Sequence, residues 1–128
     1  MTVTLTALYA GILGLIYVAL GVNVTVHRVR NRVSLGDGGK AEMLRMVRIH
    51  GNAAEYIPIA LVLMLAYEIN GGALIALHLA GLAMVAGRLV QTIGMWTKEG
   101  PNVARGAGQT LTWATIAALA ALNILKVL

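Results

Sequence analysis

The chain has 128 residues, of which 59% are hydrophobic and 12% charged, with a formal net charge of +5. Soluble domains carry about 25% charged residues, and a chain this short has too small an interior to hide so much Leu, Ile, Val and Ala. The composition therefore excludes an ordinary water-soluble globule and makes the bilayer the solvent. The absence of cysteine also excludes disulfides, thiol nucleophiles and thiolate metal sites, so any thiol chemistry has to come from a substrate.

Taken in chain order, the first apolar run is Val3 to Val26, uncharged throughout and long enough for the roughly 20 residues that cross a hydrocarbon core. No basic residue precedes it and no small-x-small site closes it, so it reads as a retained span rather than a cleaved signal. The turn-forming stretch "SLGDGGK" follows; its glycines lack the spacing and the Ser/Thr of a phosphate-binding loop. The second run begins near Met43, becomes continuously apolar at Ile57 and ends near Ile69, where "EINGG" makes a tight connection. The third extends from Ala73 to about Trp96 with Arg88 inside it, and "EGPN" stops it because proline disfavours helix in the residue before it. The fourth covers Ala107 to Leu128, with Lys126 at its end. Each span must satisfy its own backbone hydrogen bonds in lipid, which selects helices. The expected fold is an all-α integral membrane protein, one domain over residues 1–128 forming a four-transmembrane-helix bundle.

Charge placement predicts orientation. Arg28, Arg30, Arg32, Lys40, Arg45 and Arg48 surround the first connection, Lys98 and Arg105 the third, and the second has no Lys or Arg. By the positive-inside rule both basic connections face the cytoplasm and both termini lie on the other side. Topology thus accounts for the positive charge, and without interleaved aromatics it does not read as a nucleic-acid surface.

The second span opens on "RIHGNAAEYIP", unexpectedly polar for a helix entering lipid. At about 100° per residue, with Arg48 at zero, Arg45 falls near 60°, Asn52 near 40°, Glu55 near −20° and Tyr56 near 80°, all on one face. His50 and Glu68 fall near 200°, on the opposite side. Charged residues in a membrane helix face the bundle interior or a wet cavity, so this face predicts a polar pocket. Arg88, Gln91, Thr92 and Met95 share a face of the third helix, and Arg105, Gln109, Thr112 and Trp113 share one of the fourth. The first helix offers Asn23, His27 and Arg28 at the same end.

Plainer roles fit parts of this pattern. Glu55 with Arg48 or Arg88 is also readable as a structural ion pair, and Asn23 and Asn52 as interhelical glue. Gly11, Gly14, Gly21, Gly81 and Gly87 read as small residues for close packing, and the six methionines as core fillers. His27, His50 and His78 lie on different faces without metal-ligand spacing, so no metal is expected.

The stretch "RMVRIHGNAAEYIP" resembles the second-helix signature Arg-x-x-x-Asn-x-x-Glu-Tyr-x-Pro of the MAPEG family, the membrane-associated proteins of eicosanoid and glutathione metabolism. Arg48, Asn52, Glu55, Tyr56 and Pro58 match it; "GDGGKAEMLRMVR" resembles the small bacterial members, and "GRLVQTIG" the start of the third-helix motif. The resemblance implies a homotrimer in a bacterial inner membrane, with glutathione held between neighbouring subunits near the cytoplasmic side. Residue chemistry is a separate argument for the same ligand: Arg28, Arg48 and Arg88 suit its carboxylates, Glu55 its ammonium, and Asn52 and Tyr56 its peptide, with Gln91 a further candidate for the site. Arg105, at the start of helix 4, matches the arginine that activates the thiol. A lipophilic second substrate is expected to enter between helices 1 and 4 near Trp113, for thiol addition or peroxide reduction. Gln91 and Met95 stand where some eicosanoid-forming members have tyrosines, and Gly106 where one branch has serine, which argues against a specific eicosanoid synthase. The alternative is a non-enzymatic membrane assembly or small-molecule-binding protein whose polar face is structural.

Overall fold

A computed structural model describes residues 3–128. It contains four helices, α1 (Leu5–Asn31), α2 (Ala41–Ile69), α3 (Leu74–Thr97) and α4 (Val103–Val127), each long and apolar enough to cross a membrane. Helix α3 packs most extensively on α4 and α1 on α2, while α2 also touches both α3 and α4. Among the described residues α1 and α4 do not meet. The expected all-α, four-span architecture is therefore present, with α2 and α3 along its central diagonal.

The helix ends differ from the apolar runs because hydropathy reports where oil ends, not where the backbone stops winding. Helix α1 continues beyond Val26 through Arg28 and Arg30 and ends at Arg32, whose φ of 55° places it in the left-handed region. Helix α4 begins at Val103 rather than Ala107, because Asn102 caps it by accepting the Arg105 backbone N–H. This one-turn difference places Arg105 within the helix.

The core is filled by flexible and branched apolar side chains. Met43, Met46, Met64, Met84 and Met95 are all buried, beside Leu13, Leu77 and Leu119, as expected of thioethers filling irregular gaps between helices. Backbone approach between α3 and α4 is closest where glycines face one another. A Cβ on Gly108 would lie 2.5 Å from the Gln91 nitrogen and 2.6 Å from the Gly87 oxygen, and one on Gly94 would lie 2.4 Å from the Arg105 nitrogen. Gly81 makes room for the Tyr9 ring in the same way. Gly11 and Gly14 do not behave as expected: among the described residues nothing lies within 4 Å of a Cβ built on either, so neither makes a close helix contact within the chain.

At the end of the bundle away from the basic connections, Glu68 closes the start of α1. Its Oε1 accepts from the backbone N–H groups of Thr4 and Leu5, both at 2.9 Å, and its Oε2 from that of Thr6 at 2.7 Å. A carboxylate there satisfies donors that a helix start leaves open and complements the helix dipole. Asn123 of α4 similarly donates to the Leu63 carbonyl of α2 at 2.9 Å.

The glycine seam yields a direct comparison. Gly108→Ala should lower stability by about 1 to 3 kcal/mol through overpacking against backbone, although alanine is the better helix former by about 1 kcal/mol. Gly11→Ala, facing open space, should be neutral or slightly stabilising. Thermal unfolding of both variants in detergent checks the contrast.

Candidate functional site

The polar faces of three helices meet on Arg88. Its side chain is only 2% exposed, and an arginine in an apolar span must find partners within the protein. Nη1 donates to Asn52 Oδ1 of α2 at 2.9 Å, and Nε donates to Thr112 Oγ1 of α4 at 3.1 Å. Nη2 also donates to Thr112 Oγ1, and the guanidinium carbon lies 5.2 Å from the centroid of the Tyr56 ring, within cation–π range. The Thr112 hydroxyl in turn donates a hydrogen bond to the Gly108 carbonyl at 2.9 Å. One α3 side chain thus ties α2 to α4 through neutral acceptors. A turn closer to the basic connections, Gln91 donates to the Gln109 side chain and adds a second α3–α4 link.

Around this tie opens a groove of about 420 Å³, within the range of small-molecule sites. Helix α2 contributes Arg48, Asn52, Glu55 and Tyr56, α3 contributes Gln91, and α4 contributes Arg105, Gln109 and Trp113. Arg48 Nη1 and Glu55 Oε1 are 3.5 Å apart, with about half of each side chain exposed. Such a pair contributes little stability, so both groups remain available to a ligand. Among the described residues the Gln109 Nε2 is buried without a hydrogen-bond partner, behind the surface of the groove. Asn102 fixes the edge of the groove from both ends of its amide: Oδ1 accepts the Arg105 N–H at 2.9 Å, and Nδ2 donates to the Gly94 carbonyl at 2.8 Å. The Arg105 side chain is exposed and, among the described residues, makes no ion pair.

Of the residues singled out in the sequence, Arg48, Asn52, Glu55, Tyr56, Gln91 and Arg105 share this groove. Two placements differ from expectation. Arg88 does not line it as a carboxylate clamp; its nitrogens are spent on Asn52 and Thr112, which makes it the support behind the wall. Arg28 is not brought to the groove within this chain; its Nη1 donates to the Gly36 carbonyl at 2.8 Å and it borders a separate surface hollow. Asn23 and His27 also stand apart. Asn23 donates to the Met46 sulfur at 3.0 Å, and His27 Nε2 lies 3.3 Å from Glu42 Oε1. His50 and Glu68 stay off the site as expected, His50 stacking near Tyr17 with centroids 4.7 Å apart and Glu68 capping α1. Asn102 was missed, although an Asn directly after Pro101 and before the Val103–Ala104–Arg105 turn is a helix-start signal.

The difference between support and lining is measurable. Arg88→Met should lower stability by about 1 to 3 kcal/mol, because the fully buried Thr112 hydroxyl loses the donors it accepts from and the half-buried Asn52 amide loses one as well. Arg48→Met, which breaks only the half-exposed pair, should cost less than about 1 kcal/mol. Thermal unfolding of the two detergent-solubilised variants tests the assignment.

Comparison with known proteins agrees with this geometry. Residues 6–125 match the model of the MAPEG family. The chain is 37% identical over 125 residues to the inner membrane protein YecN of Escherichia coli K12, covering 93% of this chain and 89% of that protein. The YecN of Escherichia coli O6:H1 gives the same identity and coverage. With the match spanning all four helices and the second-helix motif assembled around one groove, the chain belongs to the MAPEG family.

Proposed function

We propose that the groove binds glutathione and directs its thiol at a hydrophobic electrophile or hydroperoxide, making the protein a membrane glutathione transferase or peroxidase. The observation that carries this reading is the convergence of Arg48 and Arg105 with the carboxylate of Glu55 in one groove of about 420 Å³. Glutathione brings two carboxylates and one ammonium, a net charge of −1 with the thiol protonated. Two arginines and one glutamate present the complementary excess of one positive charge.

In this reading Arg48 pairs with a carboxylate through its planar fork, and Glu55 exchanges its weak contact with Arg48 for the ammonium. Asn52 and Tyr56, held by Arg88, position the peptide. Arg105 stands in the first turn of α4, where its guanidinium adds to the positive end of the helix dipole. A cation there favours the thiolate, as it does for a protein cysteine. Trp113, about half exposed, gives the lipid-side wall an apolar surface for the second substrate. Ionising the thiol adds one negative charge, and Arg28, out of reach within the subunit, balances it as the contribution of a neighbouring copy in a homotrimer. YecN is named an inner membrane protein; the same location is proposed here, with the basic connections facing the cytoplasm.

A purely structural reading accounts for Arg88, whose donors are all spent within the protein. It gives Arg105 no role beyond topology, since among the described residues this cation pairs with no carboxylate. Arg105→Leu should therefore reduce glutathione-dependent turnover of 1-chloro-2,4-dinitrobenzene about a hundredfold or more, while glutathione still binds, more weakly for the lost positive charge, and the oligomeric state measured by native mass spectrometry is unchanged. Unchanged turnover in that variant would remove Arg105 from the chemistry.

A further inference from the structure

Beside the groove lies a second, smaller hollow of about 210 Å³, with Arg48, Asn52 and Arg105 forming the wall between them. Its far side is built from the start of α2 and the end of α3, where Arg45, Lys98 and Glu99 line it. Four cations thus border a space that holds one carboxylate of its own. That carboxylate does not use them up. Arg45 Nη1 is 3.7 Å from Glu99 Oε1, longer than a hydrogen bond, and among the described residues Arg45 Nε is buried with no partner. Like-charged side chains gathered this way repel one another unless an anion sits among them.

The shape and position narrow the anion. The volume falls below the roughly 300 Å³ at which pockets take whole small molecules, so the hollow suits a compact charged group. Converging arginine forks and a lysine match an anion with several equivalent oxygens. The hollow also sits at the end of the bundle that bears the basic connections, with Leu44 beside Arg45 and 48% exposed, an apolar surface next to the charge. In a bilayer this is the level of lipid phosphates, which attract basic clusters flanking membrane helices.

We propose that this hollow is a binding site for a phosphate group, distinct from the groove, with Arg45 and Lys98 as its own ligands and Arg48 and Arg105 shared. The group is either the headgroup of an anionic lipid or a free phosphate. Because two arginines are shared, an occupied hollow draws positive charge away from the groove and opposes anion binding there. Phosphate binding itself does not rest on the thiol reading, and probes that contain no thiol keep the two separable.

The test is calorimetry on the detergent-solubilised full chain, titrated with short-chain phosphatidic acid and, separately, with inorganic phosphate. Wild type is compared with Arg45→Gln, Lys98→Gln and Arg30→Gln, the last removing a basic residue from the end of α1 outside the hollow. Saturable binding weakened about tenfold by Arg45→Gln and by Lys98→Gln, and unaffected by Arg30→Gln, is the expected result. Binding of the lipid alone identifies a headgroup site, and binding of both probes a site for free phosphate. Lys98 caps the exposed end of α3, so its variant carries the test should Arg45→Gln fail to fold. No saturation with either probe, or equal weakening by all three substitutions, would overturn the proposal and leave a nonspecific basic belt.

Discussion

A guanidinium inside an apolar helix has to be satisfied by the protein around it, and three helices of this structure meet to satisfy Arg88. Its partners are not carboxylates but the Asn52 amide, the Thr112 hydroxyl and the Tyr56 ring face. Those groups come from the two helices that flank α3, so forming the tie fixes the level of α2 and α4 relative to α3. Reach is the second requirement. Thr112 lies close enough only because Gly87 and Gly108 let the α3 and α4 backbones approach; a Cβ on Gly87 would stand 2.8 Å from Thr112 Oγ1. The glycine seam and the buried arginine are therefore two parts of one packing solution.

The groove is a by-product of the same arrangement. Asn52 and Tyr56 are oriented by Arg88 from behind, and their neighbours one turn away, Arg48 and Glu55, project to the open side with only a long mutual contact. Asn102 performs the corresponding service for α4, holding the turn that carries Arg105 against the Gly94 carbonyl. Rigid supports thus carry loosely committed charges. This is the arrangement a binding site needs, since supports resist displacement while lining groups keep their donors and acceptors for the ligand.

The parts of this architecture that follow from periodicity and solvent preference were legible in the sequence. Four apolar runs predict four helices, and the shared faces of Arg88 and Gln91, and of Gln109 and Thr112, predict the residues that meet. What depends on which neighbour covers a face was not legible. Gly11 and Gly81 have the same residue type and a similar apolar setting, yet Gly81 accommodates Tyr9 and, among the described residues, Gly11 meets nothing. Arg28 stands at the correct end of the bundle but is turned away, because α1 continues past the apolar run and presents it to the Gly36 carbonyl. Glu68 was placed off the pocket face by helical geometry, correctly, but its actual partners lie 62 to 64 residues earlier in the chain. Only the antiparallel pairing of α1 with α2 brings that carboxylate to the open end of α1. Helix ends escaped for a further reason: Asn102 and Arg105 are polar, so a hydropathy boundary drops them although they belong to the cap and first turn of α4.

The central claim is that the groove framed by α2 and α4 is a site for glutathione rather than a structural seam. Calorimetry of glutathione binding to the detergent-solubilised protein, with Arg48→Ala and Glu55→Ala beside wild type, tests it most directly. Saturable binding that both substitutions weaken, with oligomer and unfolding temperature retained, is the result this account predicts. No heat at millimolar glutathione, or binding that neither substitution changes, would contradict it.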